Sequence, residues 1–161
     1  MIAHDTARTD DAIIAEVLIE APKPVVWAAL TEPRMLGSWW GSAETYRADK
    51  WTVDLRVGGK WSAAGVGNDG TTFSVSGEFV DIAPTDRLIM TWRPSWDSNV
   101  TTTIDYRLES HGAGTRLRLT HSGFAGHAAS RDNHAYGWQR VLGWLGEFVE
   151  RQTSAAERAA V

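Results

Sequence analysis

The apolar positions of this chain change period twice. From Ile13 to Glu20, the set Ile13, Ala15, Val17 and Ile19 alternates with Ile14, Glu16, Leu18 and Glu20, and this period of two predicts a strand. Ala21-Pro22-Lys23-Pro24 ends that ladder and opens a short helix, because a first helical turn tolerates proline, whose missing N–H would be unpaired there anyway. Val26, Trp27 and Leu30 form the buried stripe of this helix, and a second short helix is expected from Pro33 through Met35 and Leu36 to Trp39-Trp40.

From Ala43 to Ser122 the period of two returns, cut by turn residues, which predicts an antiparallel meander rather than alternating β and α units. The expected strands lie around Tyr46 to Leu55, Lys60 to Val66, Thr72 to Ile82, Arg87 to Trp92, Val100 to Ser110 and Gly114 to Ser122. Gly58-Gly59, Gly67-Asn68-Asp69-Gly70, Ala83-Pro84-Thr85-Asp86 and His111-Gly112-Ala113-Gly114 supply the breaks. The last two strands alternate most cleanly: Val100, Thr102, Ile104, Tyr106 and Leu108 share one face, as do Leu117, Leu119 and His121. His121 therefore points inward.

After Ser122 a polar connection follows, in which Ser130, Asp132 or Asn133 can cap a closing helix. That helix, His134 to Arg151, has a period of 3.6. Projected at ~100° per residue, Trp138, Val141, Leu142, Trp144, Leu145, Phe148 and Val149 gather on an arc of roughly 160°. Gln139, Arg140, Gly143, Gly146, Glu147 and Glu150 fill the other side. So broad an apolar face suits a helix lying across a curved sheet better than a coiled coil. The resulting organisation is a mobile tail over residues 1–11, one domain over residues 12–152 and a C-terminal tail over residues 153–161.

Composition narrows the function classes. A chain of 161 residues is long enough to bury a core without staples, and it has no cysteine for disulfides or thiolate metal sites. No apolar run follows Met1, so neither a secretory signal nor a membrane span is expected and a cytoplasmic location is the default. The net charge of -4, with no lysine and arginine cluster, argues against nucleic acid or an anionic membrane as partner. The unusual feature is nine tryptophans, residues that build cores and also line pockets for apolar ligands.

Candidate chemistry is sparse. Gly65-Val66-Gly67-Asn68-Asp69-Gly70 has the spacing of a dinucleotide-binding turn but leads into a strand instead of a helix, so it is expected to be a hairpin tip. Ser122 adjoins His121, but strand neighbours face opposite sides and form no nucleophile–base pair. His121, His127 and His134 fit no closed zinc spacing. No metal, cofactor or catalytic residue is assigned. His121 is either a ligand-orienting or acid–base imidazole on an apolar face, or a core histidine satisfied by the backbone or the facing helix. Tyr106 presents the same alternatives for its hydroxyl.

Several runs resemble one known family. Ala21-Pro22-x-x-Val25-x-Trp27-x-Ala29-Leu30-Thr31-x-Pro33, Trp39-Trp40 and Arg56-Val57-Gly58-Gly59-x-Trp61 are followed by Leu88-Ile-Met-Thr-Trp92, His121-Ser-Gly123-Phe124 and Gly137-Trp138-x-x-Val-Leu142-x-x-Leu145. In this order the chain is similar to the bacterial family related to the C-terminal domain of the heat-shock-protein-90 ATPase activator, within the START and birch-pollen-allergen-like superfamily. The resemblance implies an α+β helix-grip fold. A curved antiparallel sheet of about seven strands would wrap around the long C-terminal helix, with two short helices after the first strand and a cavity between sheet and helix.

A void of ~300 Å³ left dry would cost about 7 kcal/mol, so tryptophan side chains, water or a ligand must fill it. Trp40, Trp61, Trp92, Tyr106, His121, Trp138, Leu142 and Leu145 are the expected lining of a site for a small apolar or aromatic molecule. The alternatives are a cyclase- or hydrolase-like enzyme using the same cavity and a chaperone-associated interaction protein, for which Trp96 in Pro94-Ser95-Trp96-Asp97 is the aromatic to inspect for exposure. A chaperone partner has no sequence feature of its own here, and either a monomer or a homodimer is compatible with the chain.

Overall fold

In the computed structural model, which describes residues 3–159, β1 (Ala3–Arg8) forms where no apolar alternation announces a strand. It pairs antiparallel with β2 (Ala12–Ile19) through a tight turn in which Thr9 N–H reaches the Ala12 carbonyl at 2.8 Å and Ala12 N–H reaches Thr9 Oγ1 at 3.0 Å. The expected tail over residues 1–11 is thus largely a strand; Met1 and Ile2 lie outside the described residues. Main-chain pairing to the exposed side of β2 needs no apolar side chains, so hydrophobic periodicity could not signal it.

Two short helices follow, α1 (Lys23–Thr31) and α2 (Pro33–Trp39), the indole N–H of Trp39 donating to the Ala29 carbonyl at 2.9 Å to hold them together. The meander is β3 (Tyr46–Val53), β4 (Lys60–Gly67), β5 (Thr72–Ala83), β6 (Arg87–Pro94), β7 (Thr102–His111) and β8 (Gly114–Ser122), with a 3-10 turn at Ser95–Asp97 before β7. All strands join one curved antiparallel sheet in the order β1-β2-β8-β7-β6-β5-β4-β3. It has eight strands rather than about seven, the extra one being β1. At the Gly67–Gly70 tip, Gly70 adopts φ 86° and Asp69 Oδ1 accepts from Thr71 N–H at 2.9 Å, a hairpin turn.

The closing helix, α3 (Ala128–Ala159), is longer at both ends than its apolar period. Gly126 turns the chain with φ 81°, and the His127 carbonyl accepts the first helical bond from Arg131 N–H at 3.0 Å. Ser130, Asp132 and Asn133 therefore lie inside the helix and cap nothing, and residues 153–159 continue it instead of forming a tail. Trp138, Val141, Leu142, Leu145 and Val149 bury the expected face, while Trp144 and Phe148 are half-buried on its flank. Gly146, expected on the polar side, is buried, since it follows Leu142 by four residues at the edge of the arc.

The concave face of the sheet and α3 enclose the core. Ile13, Val17, Leu88, Ile104, Leu117, Leu119 and Leu145 are wholly inaccessible, each contributing roughly 1.5–3 kcal/mol by leaving water. Some strand positions have no room for a side chain, and Gly77 is one of them. Gly77 of β5 pairs with Trp61 of β4, and a Cβ there would stand 2.0 Å from the Thr91 carbonyl oxygen and 2.5 Å from Trp61 Nε1. Since the nearest atom is backbone, Gly77→Ala is expected to cost about 1–3 kcal/mol, measured as a lower urea midpoint at unchanged m-value.

Candidate functional site

The inward alternation of β8 places His121, 0 % exposed, between Thr102 of β7 and Trp138 of α3. An indole N–H can only donate, so its 2.9 Å bond to Nδ1 of His121 leaves that nitrogen unprotonated. The proton sits on Nε2, which donates to Thr102 Oγ1 at 2.6 Å, and Thr102 donates in turn to the Trp92 carbonyl at 3.3 Å. Burial, and then the neighbouring His134, push the His121 pKa well below the ordinary histidine value. The ring is a neutral crosslink between sheet and helix, with no nitrogen free for a ligand's proton.

His134, one turn before Trp138, is engaged in the same way. Its Nδ1–H donates to the Ser130 carbonyl at 2.8 Å, and its Nε2 accepts from Trp92 Nε1–H at 3.0 Å. Burial lowers its pKa, against weaker opposing effects of the Ser130 bond and the Asp97 carboxylate. Among the described residues no group of three or more histidine, cysteine, aspartate or glutamate side chains is placed to hold a metal ion.

The tryptophans form a continuous packed group. Ring centroids of Trp51 and Trp61 are 5.8 Å apart, Trp61 and Trp92 5.7 Å, Trp40 and Trp92 6.1 Å, and Trp40 and Trp138 5.9 Å. Only about 10 Å³ is left among Trp40, Trp61, Trp92 and Tyr106, scarcely the room of one water. Burial pushes the Tyr106 hydroxyl far above the ordinary tyrosine pKa, so it stays neutral.

A larger space, about 330 Å³, opens beside this group between α3 and the strands β3 to β6. Small side chains create it: Ala48, Ala63 and Val75 on the strands leave depth, and a Cβ on Gly137 of α3 would meet nothing within 4 Å. Aromatic rings wall it, Trp40, Trp92 and Trp138 on the inner side and Tyr46, Trp51, Phe73 and Trp96 toward the mouth. Trp96 is 56 % exposed and stacks on His134 at 6.0 Å, so it forms part of the rim.

Two polar groups stand out at this rim. Gly41, at φ 123°, carries the chain from α2 to β3 so closely that a Cβ would stand 2.2 Å from the Tyr46 carbonyl; Trp40 is thereby set against Tyr46, its indole N–H donating to the Tyr46 hydroxyl at 3.3 Å. Burial raises the Tyr46 pKa, with the Trp40 bond and the charge of Arg140 acting against it. Arg140 lines the same space, its guanidinium 4.9 Å from the Tyr136 ring centroid and 5.9 Å from that of Trp144.

Of the eight residues expected to line a site, Trp40, Trp92 and Trp138 border the cavity, Trp61 and Tyr106 pack around the 10 Å³ gap, and His121, Leu142 and Leu145 are core. Tyr46, Trp51, Phe73, His134 and Arg140 were not among them. The pairs Tyr46/Ala48 and Phe73/Val75 do share strand faces by their i, i+2 spacing, and His134 precedes Trp138 by one helical turn, so a signal for part of this wall existed.

An antiparallel sheet curled around a long C-terminal helix, with two short helices after β2 and a cavity between, defines a helix-grip protein. Within that class the chain belongs to the family described as Activator of Hsp90 ATPase homolog 1-like protein, whose profile matches residues 20–150. Comparison with curated protein sequences finds no match. Among solved structures, a protein from Rhodobacter sphaeroides aligns with TM-score 0.81 at 19% identity over 95% of this chain and 99% of that one. A protein from Nitrosomonas europaea aligns with TM-score 0.78 at 23% identity, over 91% of this chain and 98% of the other. CalU16 from Micromonospora echinospora aligns with TM-score 0.68 at 22% identity, over 99% and 92%. At such identities the likeness concerns the fold, and the site must argue function. No helix among the described residues is long and apolar enough to cross a membrane.

Proposed function

We propose that the protein binds a small, largely apolar molecule in the cavity between β3–β6 and α3. The observation that carries this reading is the aromatic-walled space of about 330 Å³ itself. The space opens to solvent at its rim, so water occupies it when no ligand does, and an apolar ligand would gain by covering the aromatic walls that this water now wets. Water fills such a space poorly where polar partners are few, and aromatic walls favour an apolar occupant. Binding is preferred to acid–base catalysis because both buried imidazoles already use both of their nitrogens. The reading requires no cofactor.

The test is a panel of aromatic and acyl compounds, followed by tryptophan fluorescence and melting temperature. A compound held at ~30 times its dissociation constant should stabilise the protein by about 2 kcal/mol and perturb the emission of Trp40, Trp92 or Trp138. A panel in which no compound changes either signal would sink the proposal.

A further inference from the structure

The rim of the cavity carries a cation that forms no ion pair among the described residues. Arg140 is half-buried on α3, and its Nε is shielded from solvent without a hydrogen-bond partner. Among the described residues no carboxylate comes within ion-pairing distance of it; its contacts are the Tyr136 and Trp144 rings. Arg131 of α3, by contrast, bridges to Asp132 at 3.1 Å. Burying a guanidinium edge with no acceptor is unfavourable unless something else supplies one.

Tyr46 faces the same part of the space. Its hydroxyl oxygen accepts from Trp40 at 3.3 Å, which leaves the phenolic proton to be donated. The two groups are close enough for the charge of Arg140 to act on the Tyr46 hydroxyl, and the Tyr46 ring also packs edge-on against Trp144, at 5.6 Å, beneath the guanidinium. His134, the remaining titratable group of the wall, has both nitrogens engaged, and the nearby Asp97 acts on His134 at the Trp96 side of the rim. One fixed cation and one neutral hydroxyl donor beside an apolar cavity match a single planar anion at the end of a hydrophobic body.

We propose that the cavity takes an aromatic or acyl carboxylic acid, its hydrocarbon part among the tryptophans and its carboxylate received by Arg140 and the Tyr46 hydroxyl. This rests on the ligand-binding reading above and assigns the chemical class of the ligand. The carboxylate accepts from the guanidinium, which has no ion-pair partner among the described residues. Burial keeps the Tyr46 hydroxyl protonated at neutral pH, so it arrives as a donor and not as a second anion.

The test compares 2-naphthoate with its neutral isostere 2-naphthamide, by calorimetric titration of the full chain and of Arg140→Gln, Arg140→Lys and Tyr46→Phe. A charge-assisted contact should make the acid bind about ten- to a hundredfold more tightly than the amide. Arg140→Gln should abolish that preference by weakening the acid far more than the amide, Arg140→Lys should keep part of it, and Tyr46→Phe should reduce it a few-fold. Thermal melts of the unliganded variants verify that each is folded. If acid and amide bind the wild type equally, or Arg140→Gln keeps the preference, the carboxylate assignment is overturned and the apolar cavity reading stands. If neither compound binds while a neutral apolar compound of the panel does, the carboxylate assignment alone falls, and if no compound of the panel binds or shifts the melting temperature, both fall.

Discussion

Trp138→Ala is expected to lose about 3–5 kcal/mol of folding stability, the range for removing a buried large aromatic side chain. The side chain is 4 % exposed and meets Trp40, Trp92, Tyr106 and His121 at ring-centroid distances of 5.9, 6.4, 6.1 and 5.9 Å. Truncation removes these contacts and also strips Nδ1 of His121 of its donor. The two parts separate in Trp138→Phe, which keeps most of the ring packing and deletes the N–H; it should cost about 1–3 kcal/mol, the penalty of one buried unsatisfied acceptor. Urea unfolding of the wild type and both variants measures the difference. Equal losses in the two would mean that the hydrogen bond to His121, and not ring packing, holds α3 to the sheet.

This link between α3 and the sheet shows what could be read in advance and what could not. Alternation was enough to turn His121 and Tyr106 inward, and the 3.6 period was enough to face Trp138, Leu142 and Leu145 toward the sheet, because both patterns record local geometry. That Trp138 would donate to His121, with Thr102 taking its other nitrogen, depends on how α3 lies across β7 and β8, which no local period encodes. β1 carries no apolar alternation for a related reason, since an edge strand paired by main chain needs no large apolar residues. The start of α3 at Ala128 depended on the turn at Gly126, while Ser130, Asp132 and Asn133 carried capping propensity to positions where the helix had already begun.

The cavity was displaced from its expected place for a three-dimensional reason. Trp51, Trp61 and Trp92 stack in series and fill the middle of the concave face, so the tryptophans expected to border a pocket consume most of the volume near Tyr106. The remaining space lies where Ala48, Ala63, Val75 and Gly137 leave side-chain volume out. Small residues on a strand are too common to mark a site, and only against the large rings opposite does their absence of bulk become a cavity. Arg140 was equally hidden: on a helical projection it belongs to the polar side, yet its long stem brings the guanidinium back over Trp144 to the cavity rim.

Acid should unfold this protein earlier than its carboxylates alone would require. The native His121 pKa lies well below the ordinary value because the ring is buried beside His134, whereas the unfolded chain titrates near ~6.5. Below that pH the unfolded state binds a proton that the native state refuses, so stability is complete above about 6.5 and falls as the pH drops toward the native value. The slope for one such group tends to ~1.4 kcal/mol per pH unit once the pH is well below 6.5 and still above the native value. His134, whose pKa is also lowered, acts in the same direction. Protonation would also place a second N–H against the Trp138 indole N–H, donor facing donor, which adds to the burial penalty that keeps the ring neutral. His121→Gln isolates the effect, because its amide can still accept from Trp138 and donate to Thr102 but does not titrate. Urea titrations of the two proteins at intervals from pH 7.5 to 4.5 should give free-energy curves that converge by ~1.4 kcal/mol per unit below pH 6, the variant being less stable at neutral pH and less sensitive to acid. Parallel curves would show that His121 accepts its proton in place, and the neutral crosslink would then have to be given up.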